Sequence, residues 1–314
     1  SISMSGIVSL RYGLEFERAF VLDLSMEYQF YISFLHLFLS HPVVQYLLIF
    51  ESKSMSKDIR ILYIFTHLAL VLTEWIIYLG FRIYVFAPYA ALYCEGPLCR
   101  CGIDKQILLA ILALPVILIS SPFVALMGRM HQMFVPYDSK WKFSNRTQIL
   151  LALLLNGLLF ANVAGFGYFG RESDDNERLM KEPELVWLST RNGTIFLFGP
   201  PGDPQYFRWE LIFLFISILI ISPFLYLFTA DSIRMLKSGS TQANARRMLF
   251  VFLFQCLGAL GCYIFPLSVM LSSMMIDSSF LPGWLFAFGR CFLIMVFQFN
   301  GCQFTIFFVF KNPT

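Results

Sequence analysis

Charge is scarce in this chain. Of its 314 residues 14% are charged and 58% are hydrophobic, whereas a soluble domain carries roughly 25% charged residues. So few polar side chains cannot cover a folded surface that faces water, and most of the surface must face lipid. Motifs that carry chemistry are missing too. There is no Gly-rich phosphate loop, HExxH, paired CxxC or GxSxG, so enzyme activity has no support and no cofactor or metal is expected. No basic run occurs and the net charge is +3, which offers nucleic acid no surface. Residues 1–25 carry Arg11, Glu15, Glu17, Arg18 and Asp23, and they lack the continuous apolar core of a cleavable signal. The chain starts without methionine and ends at Lys311-Asn312-Pro313-Thr314. A few preceding residues and a cytoplasmic tail are expected beyond those ends.

What the chain does have is long apolar runs. About 20 apolar residues cross the hydrocarbon core as a helix. Seven such segments are predicted, approximately at 27–50, 60–87, 105–128, 147–169, 209–230, 248–275 and 283–310. Lipid leaves backbone groups no outside partner, which favours helices, and the alternating pattern of a membrane barrel is absent. The expected fold is an all-α membrane protein. It is a single seven-helix bundle over 1–314, with 1–26 outside, 27–310 as the bundle and 311–314 opening a cytoplasmic tail.

Lysine and arginine set the orientation. The side holding 51–60, 129–146, 231–247 and 311–314 has 12 basic and 4 acidic residues, against 9 basic and 15 acidic on the other. The basic side is expected to be cytoplasmic, with the N-terminus outside. Loop 170–208 then faces outward, together with Asn192-Gly193-Thr194, an N-glycosylation acceptor.

Of seven cysteines, Cys256, Cys262, Cys291 and Cys302 fall in predicted helices and read as small apolar residues. Cys94, Cys99 and Cys101 cluster in an outer loop, an oxidising place. A Cys94–Cys99 or Cys94–Cys101 bridge across Gly96-Pro97 is preferred to a metal site, because the spacing has no histidine nearby.

Local motifs narrow the class. Phe34 to Met55 reads FLHLFLSHPVVQYLLIFESKSM, with Pro42 breaking the first segment before Ser52, Lys53 and Met55. The second segment carries Glu74 in HLALVLTEW, and the loop before the fifth reads KEPELVWLSTRNGTIFLFG. Gln255 and Pro266 mark the sixth, and Asn300-Gly301 followed by KNPT ends the seventh. In order and spacing these resemble the nematode serpentine chemoreceptors of the Str superfamily, class H first and class I next. The resemblance covers nearly the whole chain.

It departs from the wider receptor pattern twice. Loop 170–208 has no cysteine, so the frequent bridge from the third helix to that loop cannot form. The third helix ends Met127-Gly128-Arg129-Met130, which keeps an arginine resembling the one that reaches a G protein but lacks the adjacent acid. A helix-end arginine also simply snorkels to the lipid phosphates, and both readings stand. The resemblance implies a chemosensory receptor at the plasma membrane, in sensory cilia. It would bind a small molecule among its helices and activate a heterotrimeric G protein, with Arg129, Arg234, Arg246 and Arg247 on the coupling face. The positive inner face also suits contact with anionic lipid. The alternative is a ligand-gated ion channel subunit of inverted topology.

Charge inside a span costs about 2.5–3.5 kcal/mol on insertion scales, so it calls for a partner. Glu74, Arg82, Arg290 and the polar Asn300 lie in predicted spans. By helix rise, Glu74 lies about 21 Å above the inner edge and Arg290 about 12 Å below the outer edge. A Glu74–Arg290 pair is therefore expected. By depth, Trp75, Tyr78, Tyr84, Tyr168, Tyr263, Trp284, Phe288 and Arg290 are candidate ligand contacts. Pro115, Pro122 and Pro266 should bend their helices.

Overall fold

A computed structural model describes residues 15, 17–51, 56–86, 89, 91–135, 139, 141–169, 185–197, 205–237 and 282–311, together with helical residues scattered between 250 and 269. Six of the seven predicted segments run as long helices within these residues, and helix dominates the fold. Pro266 and Tyr263 of the sixth segment, and Arg246 and Arg247 before it, lie outside the described residues.

The first span begins earlier than predicted, as a π-helical turn at Glu17–Val21. It continues α-helical over Leu22–Leu35, π over His36–Ser40, α over His41–Tyr46 and π over Leu47–Glu51. Asp23 and Glu27 in its outer turns are exposed, so the helix reaches past the apolar stretch into a region where charge is cheap. The second span is α-helical over Lys57–Thr73 and π-helical over Glu74–Phe81. The third is Lys105–Phe134, the fourth Asn145–Phe169, the fifth Gln205–Lys237 and the last Gly283–Lys311. Neighbours pack in order among the described residues, with the last span against the first and each of the first four against the next. Among the described residues, four helices are long and apolar enough to cross a membrane: Leu22–Phe50, Lys57–Phe81, Lys105–Met133 and Asn145–Gly165. Pro115 and Pro122 sit inside the third helix, which continues through both.

Helix starts follow sequence signals. Asp104 Oδ1 accepts from the Gln106 backbone N–H at 2.8 Å, and Ser144 Oγ accepts from that of Thr147 at 3.2 Å. Each satisfies a donor that the first helical turn leaves unpaired.

The second helix stops six residues before the predicted end. Arg82 takes a left-handed conformation (φ 50°) and its N–H donates to Ile77 O at 2.8 Å, which closes the helix. The chain then forms a strand, β1 (Ile83–Val85), followed by β2 (Ala91–Cys94) and, from the loop before the fifth span, β3 (Thr194–Leu197). The sheet is antiparallel in the order β1-β2-β3, with Tyr84 opposite Tyr93 and Tyr93 opposite Ile195. Sequence reading did not foresee it, because each strand has only three or four residues and two of them abut apolar helical stretches.

The sheet is a cap with a core on each side. Strand alternation sends Ala91 and Tyr93 to one face, with Tyr84, Leu22, Met26, Leu188 and Ile294. It sends Leu92 and Cys94 to the other, with Phe81, Leu108, Phe196 and Ile218. All four residues of β2 are therefore buried, as expected of a central strand covered on both faces. The free edge of β1 is covered by Gln29 of the first span. Its amide accepts from Ile83 N–H at 3.0 Å and donates to Ile83 O at 2.8 Å, which removes an open pairing edge.

Candidate functional site

Two polar assemblies lie at opposite ends of the bundle, and a third is buried between them. The outer one ties the cap together. Cys94 and Cys99 are disulfide-bonded, which settles the two pairings left open by spacing, and Cys101 is a free, exposed thiol. Thr194 Oγ1 donates to Cys99 O at 2.8 Å, so the second outer loop is held to the bridge by a hydrogen bond and by β-pairing. This supplies the tether that the missing cysteine in loop 170–208 could not. Two close approaches need glycine. A Cβ on Gly96 would lie 2.1 Å from Gly80 O, and one on Gly193 would lie 2.4 Å from Cys94 O.

Charge closes the same region. Arg191 donates to Asp23 of the first span and to Glu95 Oε2 at 3.1 Å, while Arg100 reaches Glu95 Oε1 at 2.8 Å and Tyr93 donates to Glu95 Oε2 at 3.0 Å. Burial works against the Arg191 charge, but the carboxylates of Asp23 and Glu95 outweigh it and raise the guanidinium's proton affinity. The Tyr93 phenol is pushed up by burial and then by the Glu95 charge. Asn192, beside Arg191, is exposed.

The inner assembly surrounds the end of the third span. Arg129 is exposed and reaches Asp58 Oδ2, from the start of the second span, at 3.3 Å, and Gln148 Oε1, from the fourth, at 3.3 Å. The acid missing beside Arg129 in sequence is thus supplied by a neighbouring helix. Two residues on, buried His131 contacts Asp231 Oδ2 of the fifth span at 3.1 Å, and its ring stacks on Phe228 with centroids 4.2 Å apart. Asp231 also faces Arg234 at 3.9 Å. Gln132 fastens the following loop: it donates to Trp141 O at 2.9 Å and accepts from Phe143 N–H at 2.8 Å. Lys142 donates to Gln132 O and Val135 O.

The buried assembly corrects the expected Glu74–Arg290 pair. Glu74 Oε1 lies 3.0 Å from His36 Nδ1 and 3.4 Å from His41 Nε2 of the first span. Depth along a helix does not fix which way a side chain points. The first span packs against both the second and the last, and it supplies Glu74's partners. Arg290 is buried on the last span. Arg82 sits at the helix end with its guanidinium 4.7 Å from the Phe30 ring centroid. Of the remaining ligand candidates, Tyr78 is buried, Tyr84 belongs to the cap, and Trp75, Trp284 and Phe288 are 61%, 68% and 63% exposed. Aromatic rings can face lipid as well as a cavity, so depth alone does not choose between the two. Asn300 and Tyr168 lie in described helices, but their side chains are outside the described set.

Reasoning from sequence missed His36, His41, Asp58 and Asp231. Two histidines five residues apart in an otherwise apolar run were a usable signal. Asp58 and Asp231 had been counted only as inner-loop charge.

Long apolar helices packed side by side define a multi-pass helical membrane protein. The family model described as "Serpentine type 7TM GPCR chemoreceptor Srh" matches residues 23–312. The chain belongs to that family, which is a family of chemoreceptors and not of enzymes. No curated protein sequence matches the chain.

Proposed function

We propose that the chain is a chemosensory receptor that binds a small molecule among its helices and activates a heterotrimeric G protein, acting at the plasma membrane of sensory cilia. The observation that supports coupling is the inner end of the third span. There Arg129 and His131 contact the second, fourth and fifth helices through side chains alone. Opening a groove for the C-terminal helix of a G-protein α-subunit would break such contacts. Ligand would favour the open arrangement by binding it more tightly. The ligand contacts best supported are Tyr78 and Arg290, which are buried, with Tyr263, Trp75, Trp284 and Phe288 as the remaining candidates. Arg234, Arg246 and Arg247 complete the proposed coupling face.

The test is nucleotide exchange on a G protein by the full chain in lipid. Arg129→Ala should abolish ligand-stimulated exchange while surface expression persists. Full exchange by that variant would remove Arg129 from the mechanism. Topology is tested separately through Asn192. Surface protein should carry a glycan that Asn192→Gln removes, and an epitope near Asp174 should stain intact cells. An epitope reached only after permeabilisation would favour the inverted channel reading.

A further inference from the structure

We propose that His36, His41, His67 and Glu74, with Gln45, form a proton-binding site inside the bundle, which holds one exchangeable proton on the hydrogen-bonded rings of His41 and His67 beside the Glu74 carboxylate. The five side chains form a line rather than a cage. His36 Nδ1 is 3.0 Å from Glu74 Oε1, and His41 Nε2 is 3.4 Å from the same oxygen. His41 Nδ1 is 3.0 Å from His67 Nε2, and His67 Nδ1 is 2.8 Å from Gln45 Oε1. The three histidines and Glu74 are each at most 3% exposed. Among the described residues no group is arranged to hold a metal ion.

Hydrogen-bond direction carries the argument. An amide oxygen can only accept, so His67 Nδ1 bears a hydrogen. In a neutral ring His67 Nε2 is then a lone pair, and His41 Nδ1 must donate to it. That leaves His41 Nε2 as a second lone pair, facing a carboxylate oxygen. Two acceptors cannot bond, and in a dry site their repulsion is expensive. His41 Nε2 and Glu74 Oε2 are also the buried atoms of this line that lack a hydrogen bond. One added proton gives these two groups a bond, and because they are coupled it belongs to the pair.

The site can also release that proton without moving a helix. If the Gln45 amide turns over, its N–H donates to His67 Nδ1, His67 Nε2–H donates to His41 Nδ1, and His41 Nε2–H donates to ionised Glu74. Both protonation states then satisfy every link; they differ by one proton, carried at His41 Nδ1 in the protonated form, and in the tautomer of His67. Backbone form points to the same place. The π-helical stretches His36–Ser40 and Glu74–Phe81 begin at the two residues in contact, and such widened turns recur at functional positions. Other ionisable side chains on the packed elements include Tyr28 and Tyr46 on the first span, Tyr63 and Tyr78 on the second and Arg290 on the last, with further charged residues towards the span ends. Tyr78, four residues beyond Glu74, interacts with its carboxylate.

The chain has four histidines, and three are in the site, so ring-nitrogen-labelled histidine reports it with His131 as the outside signal. The full chain in nanodiscs is followed by nitrogen NMR from about pH 5 to about pH 9, the span in which histidine ordinarily titrates. At the low end His41 should show two protonated ring nitrogens and His67 a protonated Nδ1. On raising pH, one coupled step should remove a proton from His41 and exchange the two nitrogen signals of His67. Glu74→Gln should abolish that step. If the variant does not fold, the wild-type titration decides alone. Fixed neutral tautomers at His41 and His67 across the range, or separate titration of each near the ordinary value, would overturn the proposal.

Discussion

The two ends of the bundle are built from different bonds. At the outer end a sheet, a disulfide and two apolar clusters join the first, second, third, fifth and last spans to the outer loops. At the inner end the third helix meets its polar partners through Arg129–Asp58, Arg129–Gln148 and His131–Asp231. Backbone pairing and burial add up cooperatively, whereas an exposed ion pair contributes about 0–1 kcal/mol. Asp58 is 70% exposed and Arg129 44%, so their contact is of that weak kind. The outer end is held by backbone pairing and burial, and the inner end of the third helix by side-chain contacts. That asymmetry fits the proposed coupling at the inner end.

The comparison can be broken most strongly at Gly96. Gly96→Ala drives a Cβ into the Gly80 carbonyl, which is backbone and cannot swing aside. A loss of about 3 kcal/mol is expected, at the upper end for overpacking, read as a fall in melting temperature and in surface expression. Cys94→Ser should cost about 2 kcal/mol, since the bridge closes a short loop, with the same readouts. If either variant melts like the wild type, the cap is not the rigid end. Asp58→Asn sharpens the comparison from the other side. Its stability cost should be under about 1 kcal/mol, yet basal nucleotide exchange should rise because Arg129 loses a restraint. A large drop in melting temperature with unchanged basal exchange would mean that the inner contacts are structural.

The order and span of the helices were legible because lipid demands about 20 apolar residues per crossing, and a hydropathy pattern shows that directly. Six of seven segments appear as long helices at the predicted places, with the first starting about ten residues early and the third and fifth running on past their predicted ends. The second was overrun, because Ile83-Tyr84-Val85 is apolar whether it continues a helix or forms a strand. The cap was hidden for a related reason. β2 and β3 are about a hundred residues apart in sequence, and short buried strands lack the alternation that marks a half-exposed one. The cysteine cluster was visible as a bridge, but only the structure shows that Cys94 pairs with Cys99, inside the short helix Pro97–Arg100, and not with Cys101 just past it.

At the sites, sequence showed which polar residues were out of place and not what they touched. Glu74 and Arg290 had matching depths, but rotation about the helix axis sends Glu74 to His36 and His41. Composition and apolar run length thus determined by themselves that this is a multi-pass helical membrane protein, because each follows from transfer between water and lipid, and the ordered local motifs pointed to the receptor family. Which side chains meet was decided only by tertiary structure: the sheet over the outer end, the acid that reaches Arg129 from another helix, and the histidine line along Glu74. A contact depends on azimuth, helix form and packing between distant segments, and no local pattern encodes those.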